Sequence, residues 1–360
     1  MQVIKDFFVK NNIADKKIAV GVSGGADSLA LVLMLKEMLP ECNIVALTVD
    51  HGLRPSSNAE AMYVKKVMDD FGIEHHILYW EGEKPSVGIE ESARIARYNL
   101  LCNWCKENGV SNLCIAHHLL DQAETFLMRI ERGSGIMGLA SMNEVSTRND
   151  IKILRPLLNV HPDIMKDYLK NKKIDWVEDE SNLCDDFLRV RMRKFLPILE
   201  KNGGISVERV CQAVKNLQRT KSFIEDCVEN NIKKYTNCWN NVCYSFDYSR
   251  FLDWHREIQF HLVGKIIKEL GDLQYTPEAD DLLGLLDKMN LNDFESATLG
   301  GCIILKTDLR IWIIKEYRDK FTTYSNDEWE NFIKENPIVR RIKIPHKLKI
   351  ALLKKKNKKK

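Results

Sequence analysis

Apolar residues in the first third of the chain gather into short β-rich runs, Ile18 to Val22, Ile44 to Val49, His75 to Leu78 and Asn112 to Ala116, with segments of helical period between them. Strands spaced by helices predict βαβ units, whose right-handed crossovers lay down a parallel sheet covered on both faces. Ligands of such sheets meet the carboxyl ends of the strands, where loops and helix N-termini converge. From about residue 151 to 197 the pattern is mixed, with a loop from Trp176 to Asn182 and a basic helix, and it is kept with the first domain. Asn202, Gly203 and Gly204 then break the chain before Val207, Val210, Val214 and Leu217 recur at helical spacing, as a linker helix would. Residues to about 290 read as mostly helical, and Cys302 to Leu305 with Ile311 to Ile314 flank a polar turn like the arms of a hairpin. The expectation is an α/β first domain over 1–204, a smaller, mainly helical domain over 205–325 and an extension over 326–360.

Composition narrows this picture only slightly. A chain of 360 residues, 44% hydrophobic and 29% charged, can bury two cores without staples. No apolar run approaches the roughly 18 residues of a membrane span, and the start lacks the order of a secretory signal, so a cytoplasmic protein is expected. Most of the ten scattered cysteines then read as buried thiols rather than a disulfide framework. The net charge of +3 does not announce a nucleic-acid binder, but basic residues bunch at Arg189 to Lys194 and from Lys354 to Lys360. The lysine tail is the single low-complexity stretch; it reads as a solvated tail or as an aid to RNA binding.

Chemistry enters with Ser23-Gly24-Gly25-Ala26-Asp27-Ser28, between the first strand and the apolar helix from Leu29 to Leu35. Paired glycines let the backbone approach an anion closely, and the N–H groups of the helix start, with the hydroxyls of Ser23 and Ser28, offer donors to a phosphate. The Walker loop needs Gly-Lys-[Ser/Thr] and the dinucleotide fingerprint needs Gly-x-Gly-x-x-Gly, and neither is present. A carboxylate at Asp27, where a Walker loop carries lysine, suits Mg²⁺. This loop resembles the Ser-Gly-Gly-x-Asp-Ser signature of the PP-loop ATP pyrophosphatases, which implies an adenine nucleotide alpha-hydrolase-like fold that grips diphosphate and adenylates a substrate oxygen. ATP is then the substrate and Mg²⁺ the cofactor.

Two further strand ends carry polar groups. Thr48-Val49-Asp50-His51-Gly52-Leu53-Arg54 ends the second strand, where Thr48, Asp50, His51 and Arg54 can reach the adenosine of an ATP held on the first loop. The fourth strand runs into Ala116-His117-His118-Leu119-Leu120-Asp121-Gln122-Ala123-Glu124-Thr125. A helix starting after the histidines puts Asp121 and Glu124 on one face, with His117 at its entrance, able to bind a metal, hold an ammonium or take a proton. Both segments resemble the lysidine synthetase branch of the PP-loop family. So do Ala93-Arg94 with Arg97-Tyr98, Arg129 with Arg132-Gly133-Ser134-Gly135, Gly138-Leu139 with Met142, Arg155-Pro156-Leu157-Leu158, and Trp176 with Asp179 and Ser181-Asn182. The resemblance covers about residues 15 to 200 and departs where Val190 replaces a frequent asparagine in Arg189-Val190-Arg191-Met192-Arg193. Beyond it the match is loose, and a further C-terminal module of longer relatives is expected to be truncated to the lysine-rich end.

The resemblance implies a two-step reaction on the wobble cytidine of the minor tRNA(Ile) with a CAU anticodon. ATP adenylates the C2 oxygen, and free L-lysine then displaces AMP. Its roles carry over as follows: Asp27 positions Mg²⁺ or phosphate, His117 and Asp121 are catalytic, and Glu124 meets the lysine ammonium or a metal. Arg94, Arg97, Arg132, Arg189, Arg191 and Arg193 contact tRNA or phosphate, since guanidinium groups bind phosphates bidentately. A homodimer stays open. Three other readings stay beside this one. A 2-thiocytidine synthetase would use cysteine pairs for an iron–sulfur cluster, but Cys102-Asn103-Trp104-Cys105 has no second Cys-x-x-Cys. A regulatory nucleotide-binding module would bind without turnover, and an amide-forming NAD or GMP synthetase would turn over without tRNA.

Overall fold

The computed structural model describes residues 2–13, 17–40, 42–82, 84–85, 88–178, 188–239, 241–307, 309–316, 325–335, 346, 348–350 and 353. The chain divides into two compact units, Met1–Lys221 and Ser222–Lys360. The first runs α1 (Gln2–Lys10), β1 (Lys17–Gly21), α2 (Ala26–Met38), β2 (Asn43–Asp50), α3 (Ser57–Asp70), β3 (Glu74–Tyr79), α4 (Ile89–Glu107), β4 (Asn112–Cys114), α5 (Leu119–Glu131), α6 (Ile136–Leu139), β5 (Val145–Arg148), β6 (Ile151–Leu154), α7 (Asp163–Asn171) and α8 (Leu188–Gly203).

Its six-stranded sheet has the order β3-β2-β1-β4-β6-β5, with every neighbouring pair parallel except β5 and β6. All four predicted strands are present. Strand alternation feeds two cores: Ile18, Val20, Ile44, Ala46 and Cys114 enter one, while Ala19, Val45, Leu47 and Leu113 enter the other. The first core is closed by α1, α2, α3 and α7 and the second by α4, whose Tyr98, Leu101, Cys102 and Cys105 are buried there. Helix α2 is apolar all round because it is covered all round, with Leu29 to Leu35 each at 0–2% exposure. Connections leave β1 toward β2 on one side, and β4 lies on the other, so the chain reverses direction across the sheet between β1 and β4. A crevice opens at such a reversal, beyond the carboxyl ends of the strands.

Helix α9 (Val207–Tyr235) contains the predicted linker helix and runs through the division between the units. The second unit continues with β7 (Thr236–Trp239), β8 (Cys243–Asp247), α10 (Tyr248–Asp253), α11 (Arg256–Leu270), α12 (Ala279–Met289), β9 (Ser296–Leu299), β10 (Cys302–Thr307), β11 (Arg310–Lys315) and α13 (Asn326–Glu335). Its helices match the mainly helical expectation, but its sheet is larger than the single hairpin anticipated. Strands β10 and β11 form that hairpin inside an antiparallel sheet of order β7-β8-β11-β10-β9. The short polar strands β7 and β9 lie at its edges and carry too little apolar alternation to be read alone. Gly300 turns β9 into β10 at φ +56°, where a Cβ would stand 2.6 Å from Ile267 Cγ2. No described helix is long and apolar enough to cross a membrane. The lysine tail from Lys354 to Lys360 lies outside the described residues.

Candidate active site

The loop between β1 and α2 is braced from within. Ser23 N–H donates to Ser28 Oγ at 3.1 Å, and Ser28 Oγ donates to Gly25 O at 3.0 Å. Ser28 is buried and its proton is spent on the loop, so it shapes the turn rather than reaching a ligand, whereas Ser23 is exposed. Gly24 sits at φ +87°, and Val177 N–H donates to its carbonyl at 3.0 Å. A Cβ on Gly24 would meet Val64 Cγ2 at 3.2 Å and Val177 Cγ2 at 3.4 Å. Gly25 is the N-cap of α2 and supplies no side-chain acceptor, which leaves the first turn's N–H groups, beginning at Ala26, available to an anion.

At the end of β2, several predicted groups already have partners. Thr48 Oγ1 is 2.8 Å from His75 Nε2, Asp50 Oδ1 accepts from Gly52 N–H at 2.9 Å, and Arg54 reaches Glu60 at 3.3 Å. Hydrogen bonds from Ser57, Gly52 and Asn58 overcome burial and hold the Asp50 carboxyl below its ordinary value. Asp50 therefore folds the strand end into its turn. His51 packs edge-on against Trp80, keeps a buried Nδ1 without a partner, and is held below its ordinary pKa by burial and by Arg97. His51 thus keeps an unspent polar atom at this edge, as His75 does at its Nδ1.

The start of α5 carries the densest chemistry. His118 is the N-cap: its Nδ1 accepts from Asp121 N–H at 3.3 Å, and Asp121 Oδ2 accepts from His118 N–H at 3.0 Å, a reciprocal capping box. With Nδ1 an acceptor, the neutral ring carries its proton on Nε2, which lies 3.6 Å from Asp27 Oδ2 and 3.5 Å from Asp121 Oδ2. His118 thus joins the phosphate loop to the α5 carboxylates, whereas the sequence pointed to His117 as the catalytic imidazole at this helix entrance. Burial would raise Asp121, but His118, His117 and Arg189 outweigh it and hold the carboxyl below its usual range. Burial pushes Asp27 the other way, with Asp121 adding to it, and Asp27 Oδ1 is buried without a hydrogen-bond partner.

Glu124, one turn on, is wholly buried. Arg193 Nε donates to its Oε1 at 2.6 Å and Arg189 Nε stands 3.4 Å from Oε2. Burial pushes this carboxyl up while the pair lifts Arg193. Arg189 and Arg193 are four residues apart on α8 and share the face that meets Glu124, with Leu196 packing on Leu119 and Ala123 below. Val190 is a buried core residue at 6% exposure, so an apolar side chain fits where the family often has asparagine.

His117 faces a different set of groups. Arg155 Nε donates to its Nδ1 at 3.2 Å, and burial together with Arg155, Arg97 and Arg189 drives the imidazole down to about 3 against the pull of Asp121. Arg97 and Arg94 lie 5.6 and 5.7 Å from the Tyr98 ring, and Arg97 Nε is buried without a partner. Arg132 and Arg191 are exposed. Arg132 caps the far end of α5, roughly 16 Å along the axis from Asp121. Sequence reasoning passed over His118 and Arg155 as actors although both stood in the quoted motifs. Asp179, Ser181 and Asn182 lie outside the described residues. Cys102 and Cys105 are buried free thiols, with Cys105 pushed up to about 12 by burial and by Cys102.

Among the described residues no three His, Cys, Asp or Glu side chains form a metal cage. The unpaired, desolvated Asp27 Oδ1 instead fits Mg²⁺, which takes one or two carboxylates and completes its shell with phosphate oxygens and water.

Comparison with known proteins agrees with this geometry. Residues 2–199 match the PP-loop domain family. The chain is 36% identical over 315 residues to the tRNA(Ile)-lysidine synthase of Wolbachia pipientis wMel, covering 84% of this chain and 71% of that one. It is 30% identical over 342 residues to the tRNA(Ile)-lysidine synthase of Ruegeria pomeroyi, covering 90% and 78%. Among solved structures, the U34-tRNA thiolase NcsA from Methanococcus maripaludis shares the fold at a TM-score of 0.52 and 20% identity, over 60% of this chain and 77% of that one. With its ATP-binding PP-loop domain and relatives of this identity over most of its length, the chain belongs to the tRNA(Ile)-lysidine synthase family of ATP-dependent ligases.

Proposed function

We propose that this chain joins L-lysine to C2 of the wobble cytidine of a tRNA(Ile) with a CAU anticodon, releasing AMP and diphosphate. The observation that carries the reading is the meeting of the phosphate loop with the α5 corner, where His118 Nε2 lies within 3.6 Å of both Asp27 and Asp121. In the first step the C2 oxygen attacks the α-phosphorus of ATP and diphosphate leaves toward Ser23, Gly24, Gly25 and the start of α2. Asp27 would hold Mg²⁺, which would supply positive charge to ease the departure of diphosphate. His51 and Arg54 stand on the side expected for adenosine. In the second step the lysine Nζ attacks C2 and AMP leaves with the oxygen.

A free lysine amine with a pKa of ~10.4 costs about 4 to 5 kcal/mol to deprotonate at pH 7. Asp121 stays ionised, which suits it to draw the ammonium in and to take a proton once the nitrogen has bonded to C2 and become acidic. Glu124 is committed to Arg193 and Arg189 and serves to dock α8. The exposed Arg94, Arg132 and Arg191 are left for tRNA phosphates. Incubation with ATP, Mg²⁺, labelled lysine and bulk tRNA, followed by nuclease digestion, should give a lysine-bearing cytidine. Turnover that proceeds equally well without tRNA would overturn the reading in favour of an amide-forming ligase.

A further inference from the structure

What a histidine can do depends on which ring nitrogen holds the proton, and that is set by the partner of the other. His117 has such a partner in Arg155, a residue just past β6 that is 9% exposed. Arg155 is itself fixed on three sides: its N–H donates to Glu144 O at 2.9 Å, and its Nη1 donates to Asn143 O at 2.9 Å and to Ser146 Oγ at 3.0 Å. These acceptors belong to β5 and the turn before it, so the one antiparallel strand of the sheet holds the guanidinium still. A guanidinium has donors and no acceptor. His117 Nδ1 must therefore accept, and its single proton sits on Nε2, which makes no hydrogen bond among the described residues and is not buried without a partner. Among the described residues, Asp121 is the anion that acts on the ring, against Arg155, Arg97 and Arg189.

We propose that Arg155 is a positioning residue that locks His117 in its neutral Nε2–H form, so that His117 donates a hydrogen bond to an anionic oxygen of the nucleotide and never acts as the base. The proposal rests on the ligase reading of this site. His118 repeats the device with a backbone N–H in place of a guanidinium, since its Nδ1 accepts from Asp121 N–H. With His117 fixed as an Nε2–H donor, proton acceptance falls to Asp121 beside it.

The direct test is ¹⁵N spectroscopy of the histidine-labelled full chain, with His117 assigned through the His117→Gln variant. The expected signature is an unprotonated Nδ1 and a protonated Nε2 that persist from about pH 5 to about pH 9. An Nδ1–H tautomer, or a second proton taken up within that range, overturns the proposal. The spectrum needs no turnover: an inactive protein with the expected tautomer would defeat the ligase reading alone, and an active one with the other tautomer would defeat the lock alone. A double-mutant cycle separates positioning from mere support. Arg155→Gln should lower kcat for lysine transfer about 100-fold with KM for ATP within about twofold. In a His117→Gln background, whose amide donor has no second tautomer, the same change should cost less than about fivefold. An undiminished penalty there would mean that Arg155 only supports the hairpin.

Discussion

Removing the Arg193 side chain strands a carboxylate that the fold has sealed from water. Glu124 is fully buried and Arg193 Nε stands 2.6 Å from its Oε1, a gross attraction of about 6 kcal/mol at an effective dielectric of about 20. Arg193 is 38% exposed and Arg189 remains 3.4 Å away, so solvent and the second arginine recover part of this. The net loss in Arg193→Met should be about 2 to 3 kcal/mol near pH 8, below the 3 to 5 of a fully buried pair. Burial already pushes the Glu124 carboxyl above its ordinary value, and losing Arg193 pushes it further. A carboxyl whose folded pKa exceeds its unfolded value binds a proton more tightly in the native state. Its cost is therefore absent below the unfolded value and grows as pH rises through the folded one. Amide hydrogen exchange of α5 and α8, corrected for intrinsic rates, should show the loss shrinking to about 1 kcal/mol near pH 5. Glu124→Gln combined with Arg193→Met should remove the pH dependence. A loss of equal size at both pH values would refute the claim that Glu124 is a buried charge held by α8.

Two further outcomes follow from the loop and the basic helix. Gly24→Ala forces an L side chain to φ +87° against Val64 and Val177, at about 1 to 2 kcal/mol, and ATP affinity by calorimetry should fall about tenfold; unchanged affinity would mean the loop does not hold the phosphates. Arg191→Ala, on an exposed position, should reduce the salt slope of tRNA binding by about one without altering kcat, and a slope that stays the same would remove Arg191 from the RNA surface.

The parallel sheet was legible because its strands alternate cleanly between two cores, as Ile18, Ala19 and Val20 do on β1. The phosphate loop was legible because its function depends on backbone conformation, and paired glycines leave a local trace. Strand β5 was not, since Val145–Arg148 alternates weakly and owes its place to pairing with β6. Within the site, residue types could be read but commitments could not. Glu124 looked as available as Asp121 until Arg193, 69 residues away, was found on it. His117 and His118 are neighbours in sequence, yet Arg155, 38 residues on, holds one and the α5 cap holds the other. Such roles are decided by long-range partners, and local pattern does not record them.

The account depends on ATP being opened between its α- and β-phosphates at the loop after β1, with AMP passing to RNA and lysine displacing it. Product stoichiometry tests this most directly: with tRNA, lysine and Mg²⁺, each lysine fixed on RNA should be matched by one AMP and one diphosphate. Release of ADP and monophosphate instead, or lysine fixed without diphosphate, would contradict it.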